Sequence, residues 1–221
     1  MKSITSRDNA FYKDLVKLAT SSQARRKAGR TLLDGVHLCQ SWLDLRGAPA
    51  HCVVSDEALH NPEVAGIVER LEGMHVHVTA LPDALFKALS QVEHGVNLLF
   101  LVETPQPAAP AAMTVSAVLL DGVQDPGNAG SILRSAAAAG ITQVFCSPGT
   151  AFCWSPKVLR AGMGAHFGLR LVEGLAAHDL SALQVPLLVT SSHEGEWLHQ
   201  ASLPWPCAWV MGHEGQGVSP E

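Results

Sequence analysis

The stretch SAVLLDGV, residues 116–123, restricts the folds open to this chain more than any other. It is a continuous apolar run rather than an alternating one. Such a run reads as a strand buried on both faces, the kind found in parallel sheets covered by helices. It passes through Asp125-Pro126-Gly127-Asn128-Ala129-Gly130 into the alanine-rich segment SILRSAAAAG. The proline and two glycines predict a tight strand-to-helix turn. Asn128 is suited to cap the helix that follows, and Arg134 projects from that helix's second turn. TQVFCSP reads as the next strand. SPKVLRAGMGAHFGL reads as a helix started by Ser155 and Pro156. LRLVEGL, VPLLVTSS and PCAWVMG read as three further strands. Strand–helix alternation with short loops predicts an α/β fold with a mostly parallel sheet. Ligands bind such sheets beyond the carboxyl ends of the strands, here at the loops after Val123, Cys146, Thr190 and Met211.

The first hundred residues also alternate. Helical patterns lie at about 7–20, at VHLCQSWLDLRG, within DEALHNPEVAGIVERLEG and at PDALFKALSQV. Strand patterns lie at TLLDG, AHCVVS, MHVHVT and VNLLFLV, while the polar, basic SSQARRKAGR reads as a loop. ETPQPAAPAAMT, with three prolines, makes a poor helix or strand and reads as a linker. The expected organisation is a small α/β domain over 1–102, a linker over 103–114 and a second α/β domain over 115–221.

Composition narrows the class. The 221 residues can bury a core without disulfide staples. No run approaches the roughly 18 apolar residues of a membrane span, and the polar N-terminus does not read as a secretory signal. Five cysteines, none in a Cys-x-x-Cys pair, read as reduced thiols of a cytoplasmic protein. His75 and His77 would share one strand face, but no further histidine or cysteine has matching spacing, so no metal is expected.

The net charge of −5 hides an asymmetry. Residues 1–30 hold eight Lys or Arg against two Asp, and the rest of the chain holds seven basic and eighteen acidic residues. A docking surface for phosphates and a solvated basic helix face fit this pattern equally well.

Directly after apolar CAWVM comes GHEGQG, Gly212 to Gly217. Its glycines let the backbone approach a ligand and offer amide donors. It lacks the Gly-Lys-Ser/Thr of a phosphate-binding P-loop. It also lacks the G-x-G-x-x-G spacing of a dinucleotide site, and GMGAHFG does not supply it, which argues against a nicotinamide oxidoreductase.

DGVQDPGNAGSILR resembles the first signature of the SpoU/TrmH family of RNA ribose methyltransferases. VMGHEGQG is similar to the second, and SPKVLRAGMGAHF looks like the stretch between them. Residues 1–100 resemble, more loosely, the substrate-binding domain often fused ahead of this catalytic domain, with a fold akin to certain ribosomal proteins. The resemblance implies a SPOUT methyltransferase domain with a C-terminal trefoil knot, acting as a homodimer. It implies methyl transfer from S-adenosylmethionine to a ribose 2′-hydroxyl of RNA. Ribosomal RNA is favoured over transfer RNA, and a non-catalytic RNA-binding relative is the alternative.

Carried over by motif, Arg134 would be the catalytic arginine and Asn128 its partner. Thr190, Met211, Gly212, Glu214, Gly215 and Gly217 would hold the cofactor. Arg25, Arg26, Lys27 and Arg30 would dock RNA, and Lys157 and Arg160 would contact phosphate near the target nucleotide. Family members usually have serine where this chain has Gly162. They also continue past the position of Glu221 into a third signature that closes the knot, so the expectation is that this sequence is part of a longer protein.

Overall fold

A computed structural model describes residues 1–92, 95–191 and 195–220. The chain builds two five-stranded sheets. In the first, β1 (Lys2–Ser3), β4 (Val78–Leu81), β3 (His51–Ser55), β5 (Leu98–Glu103) and β2 (Arg30–Asp34) lie in that spatial order. β5 runs antiparallel to both neighbours, and the other pairs are parallel. Its helices are α1 (Ala10–Thr20), α2 (Ser22–Ala28), α3 (Val36–Leu45), α4 (Pro62–Gly73) and the single turn α5 (Asp83–Phe86).

The segment expected to loop is therefore α2. Two local signals build it. Ser21 Oγ accepts from Ala24 N at its start, and Gly29, at φ 59°, ends it in the left-handed conformation that favours glycine. The histidine pair is corrected too. His75 lies at φ 58° before β4 begins, so it shares no strand face with His77.

The second sheet orders β8 (Arg170–Glu173), β7 (Gln143–Cys146), β6 (Ala117–Asp121), β10 (Ala208–Gly212) and β9 (Leu187–Val189). Every pair in it is parallel. α6 (Pro126–Ala138) and α7 (Pro156–Gly162) cover one face. The strand order reverses between β6 and β10, where Gly212 lies in register with Asp121. Parallel topology thus brings the loop after β6 beside the loop after β10, at the switch point where such sheets bind ligands.

One apolar core runs through both halves. It joins Leu33, Trp42 and Phe100 to Leu120, Leu133, Trp154 and Phe167. Burying a leucine such as Leu133 contributes roughly 1.5–3 kcal/mol, and α6 spends Ala129, Leu133 and Ala136 on this contact. The opposite face of the first sheet has its own core of Tyr12, Leu15, Leu18, Val53, Phe86 and Leu99. No helix among the described residues is long and apolar enough to cross a membrane.

Candidate active site

The helix that carries Arg134 is capped by Asp125. Asp125 Oδ1 accepts from Asn128 N at 2.8 Å, and Pro126 takes the first helical position. The expected capping role of Asn128 is thereby corrected. The preceding carboxylate occupies that place, and the Asn128 side chain is turned to another partner. Asn128 Nδ2 donates to Glu214 Oε1 at 3.1 Å.

Glu214 gathers the loop after β6. Its carboxylate accepts from Gln124 N at 3.2 Å and Asp125 N at 3.0 Å, besides Asn128. Hydrogen bonds from main-chain amides, its own first among them, and from Asn128 hold its pKa at about 2, well below the usual carboxylate range.

The loop that presents Glu214 is a closed reversal. His213 and Gly217 exchange both backbone hydrogen bonds, N to O at 2.8 and 2.9 Å. His213 Nδ1 accepts from Gly215 N and Gln216 N at 2.9 and 3.1 Å. A Cβ on Gly212 would collide with the backbone of Gly217 and Val218, so position 212 admits only glycine.

Asp121, at the end of β6, ties in the residues beyond this loop. Ser219 N donates to its Oδ2 at 2.6 Å and Ser147 Oγ to its Oδ1 at 3.1 Å. Burial pushes its pKa up, but these hydrogen bonds outweigh that and leave the pKa lowered. No motif in the sequence marks Asp121, Ser147 and Ser219 as a set. The only signal was the position of Asp121 at a strand's carboxyl end.

Two spaces open at the carboxyl edge. One of about 240 Å³ is lined by Asn128, Thr190, Met211, Gly212 and Glu214, with Val123, Ser131 and Ile132. The other, about 530 Å³, is walled by Leu119, Leu175, Val189, Val210 and Val218, with Asp121 and Ser147 at its polar side. The larger falls within the roughly 300–1,000 Å³ of small-molecule sites. Thr190 Oγ1 donates to the Val210 carbonyl at 2.9 Å. Gly215 and Gly217 belong to the loop but line neither space.

Arg134 is exposed on α6, and among the described residues it has no hydrogen-bond or ion-pair partner. The other basic residues separate. Lys157 is exposed. Arg160 is half-buried, and one of its terminal nitrogens lacks a hydrogen bond. Burial raises the pKa of Asp34 overall, and the Arg160 charge opposes that rise. Arg26 stacks over the Phe152 ring at 4.2 Å. Lys27 is exposed and Arg30 half-exposed. Arg25 is a correction. It is only 6% exposed, and its Nη1 donates to the Leu18 and Ala19 carbonyls at the end of α1. Its charge is spent on closing a helix rather than offered to a partner.

The all-parallel sheet and the loops at its switch point define an α/β fold open to a ligand at the carboxyl edge. The SpoU rRNA Methylase family model matches residues 116–221. The chain is 31% identical to the 23S rRNA (guanosine(2553)-2′-O)-methyltransferase RlmP of Bacillus subtilis, over 99% of this chain and 85% of that one. It is 48% identical over 76% of its length to rRNA methyltransferase 3, mitochondrial, of Mus musculus, of which it spans 42%. An AdoMet-bound rRNA methyltransferase from Sinorhizobium meliloti has the same fold, with a TM-score of 0.83 over 99% of this chain and 83% of that one at 22% identity. The chain belongs to the SpoU methylase family.

Proposed function

We propose that this protein transfers a methyl group from S-adenosylmethionine to a ribose 2′-hydroxyl of RNA, with ribosomal RNA as the substrate. The observation that carries the reading is the Glu214 carboxylate. It draws the GHEGQG loop onto the head of α6, so one cluster of hydrogen bonds joins the cofactor residues to the helix of Arg134.

The residues present fit the cofactor. A glycine loop, the strand ends at Thr190 and Met211, and apolar-walled space suit a ligand with a nucleoside and an amino-acid end. When bound, the cofactor supplies an electrophilic methyl group. The chain's part is to bind, orient and stabilise charge. A guanidinium offers donors and no acceptor, so Arg134 acts as a cation and hydrogen-bond donor rather than as a base. Aimed at the ribose, it would grip a neighbouring phosphate and stabilise the hydroxyl oxygen as negative charge develops on it. Arg26, Lys27, Arg30, Lys157 and Arg160 would hold the RNA backbone.

The same reading takes residues 1–102 as the RNA-binding domain, 103–114 as the linker and 115–221 as the catalytic domain. It takes the enzyme as a cytoplasmic homodimer. Five buried thiols without a disulfide support the reducing compartment. Exposed Leu187, Val189, Trp197, Leu198 and Trp205 support an apolar dimer face.

The test is incubation of the protein with methyl-labelled cofactor and either ribosomal or transfer RNA, followed by nuclease mapping. Label in a ribose 2′-O-methyl nucleotide of ribosomal RNA is the expected result. Label in transfer RNA alone would reassign the substrate, and RNA binding with no label would reduce the protein to a non-catalytic relative.

A further inference from the structure

The segment from Phe152 to Leu169 leads from β7 to β8 and contains α7. The N-terminal half holds it by its main chain. Thr31 Oγ1 donates to the Trp154 carbonyl at 2.8 Å, within the core. His37 Nε2 donates to the Met163 carbonyl at 3.2 Å. Arg46 Nε donates to the Phe167 carbonyl at 2.8 Å, and its Nη2 reaches the Leu169 carbonyl at 3.4 Å. All four acceptors are carbonyls of one segment. The donors lie on β2, on α3 and on the residue that ends α3. Trp42, also on α3, meets Phe167 edge-on at 5.2 Å.

The backbone held in this way is not relaxed. α7 is followed by Met163 at φ 50° and Gly164 at φ 82°, both left-handed. A non-glycine residue there costs about 1–2 kcal/mol, so the reversal persists because its surroundings enforce it. α3 is part of those surroundings: a Cβ on Gly164 would stand 3.2 Å from the Ser41 Cβ.

On its other side α7 is pressed against α6. A Cβ on Gly130 would lie 2.5 Å from the Ala161 Cβ and 2.7 Å from the Val158 carbonyl. Gly130 stands four residues, about one helical turn, before Arg134. Close-packed contacts of this kind transmit displacement rather than absorb it. A contiguous path therefore runs from Arg46 through the 163–169 turn and α7 to the helix of Arg134.

We infer that Arg46 is a positioning residue for methyl transfer, acting through the Phe167 and Leu169 carbonyls and α7 on the placement of Arg134. The inference rests on the proposed reading of Arg134. Arg46 is itself exposed and cationic, so its test must separate positioning from direct contact with RNA.

The test has two arms on the full chain. The first needs no substrate. Hydrogen–deuterium exchange of Arg46→Ala is expected to speed exchange at 163–169 and in α6 near Gly130, with the GHEGQG loop unchanged. Thr31→Val, at the other end of the segment, is expected to loosen 154–158 and then α6. The second arm is single-turnover methylation of RNA. Arg46→Ala is expected to lower the rate about tenfold to a hundredfold, the scale of a small misplacement from a distant change. Cofactor affinity and RNA affinity stay within about twofold, and Arg46→Lys recovers part of the rate because one ammonium reaches one of the two carbonyls.

Unchanged exchange, or a loosened segment with an unchanged rate, overturns the inference. A loss of RNA affinity with a shallower salt dependence overturns it too, by making Arg46 an RNA contact. A wild-type chain that transfers no methyl group, with the exchange results as expected, overturns the reading of function and not the mechanical link.

Discussion

Asn128 Nδ2 donates to Glu214 Oε1 at 3.1 Å, across eighty-six residues of chain. The bond ties the first signature to the second, and it replaces the capping bond that the local sequence around Asn128 predicts. Because Glu214 also takes the Gln124 and Asp125 amides, its loss should loosen both loops together. Glu214→Ala is expected to weaken cofactor binding at least about tenfold by calorimetry, since charge-assisted hydrogen bonds are the strong ones. Asn128→Ala, which leaves the two amides in place, should cost less. Equal affinity for Glu214→Ala and wild type would show that the carboxylate does not shape the cofactor site.

Arg134 is free to meet a substrate because nothing described on the protein engages it. Arg134→Ala is expected to abolish turnover while leaving RNA affinity within a few fold. Arg134→Lys should recover little, because lysine lacks the planar fork. Single-turnover methylation is the measurement, and near-normal rates for either variant would remove Arg134 from the chemistry.

The basic N-terminal residues divide into exposed and buried, and RNA binding should divide with them. Arg26, Lys27 and Arg30 together changed to glutamine are expected to flatten the slope of log affinity against log salt by roughly 2–3. Arg25→Gln should leave that slope alone and lower the melting temperature, because its guanidinium closes α1 through the Leu18 and Ala19 carbonyls.

Gly162 is explained by its neighbour His166. A Cβ at 162 would lie 2.5 Å from His166 Cε1 and 2.9 Å from Nδ1, so the imidazole occupies the space a serine side chain would need. Gly162→Ser is expected to destabilise the protein by about 1–3 kcal/mol, the usual range for overpacking. In Gly162→Ser/His166→Ala the space is freed, and the combined cost should be smaller than the two single costs added. Denaturant titration of the four proteins measures this; strict additivity would mean that the two sites do not share that space.

His166 also makes stability depend on pH. It is 0% exposed, its Nε2–H donates to the Cys153 carbonyl at 2.9 Å, and its Nδ1 has no partner. Burial pushes its pKa from 6.5 down to about 4. The folded state therefore keeps the ring neutral while the unfolded chain takes up a proton. Its contribution is fully present above the unfolded value of 6.5 and is lost as pH falls toward 4. A shift of this size corresponds to on the order of 3 kcal/mol. Unfolding free energies at several pH values, compared with His166→Gln, should show the wild type losing more stability between pH 7 and 4. Parallel curves would contradict a neutral buried ring.

Much of the architecture was legible because its signals are local. The apolar run at Ala117–Asp121, Pro126 and Pro156 at first helical positions, Ser155 as a cap and the glycines of GHEGQG each act within a few residues of themselves. Structure departs from the local pattern where partners lie far apart in the chain or where charge outweighs short signals. SSQARRKAGR reads as a polar, basic loop, yet Ser21 and Gly29 bound a helix, and Arg25 folds back onto the carbonyls of α1. Asn128 had the composition of a cap, but Asp125 took that place.

The amino-acid sequence by itself determined the alternation of strand and helix, the tight turn before α6 and the glycine loop after β10, since backbone sterics and apolar periodicity act over single turns and strands. Only the tertiary structure decided that β10 lies beside β6, that Glu214 meets Asn128, that His166 requires glycine at 162 and that Arg46 grips the turn after α7. Those pairings depend on strand order and on the packing of one half against the other, and no spacing along the chain encodes which distant groups close packing will bring within hydrogen-bond reach.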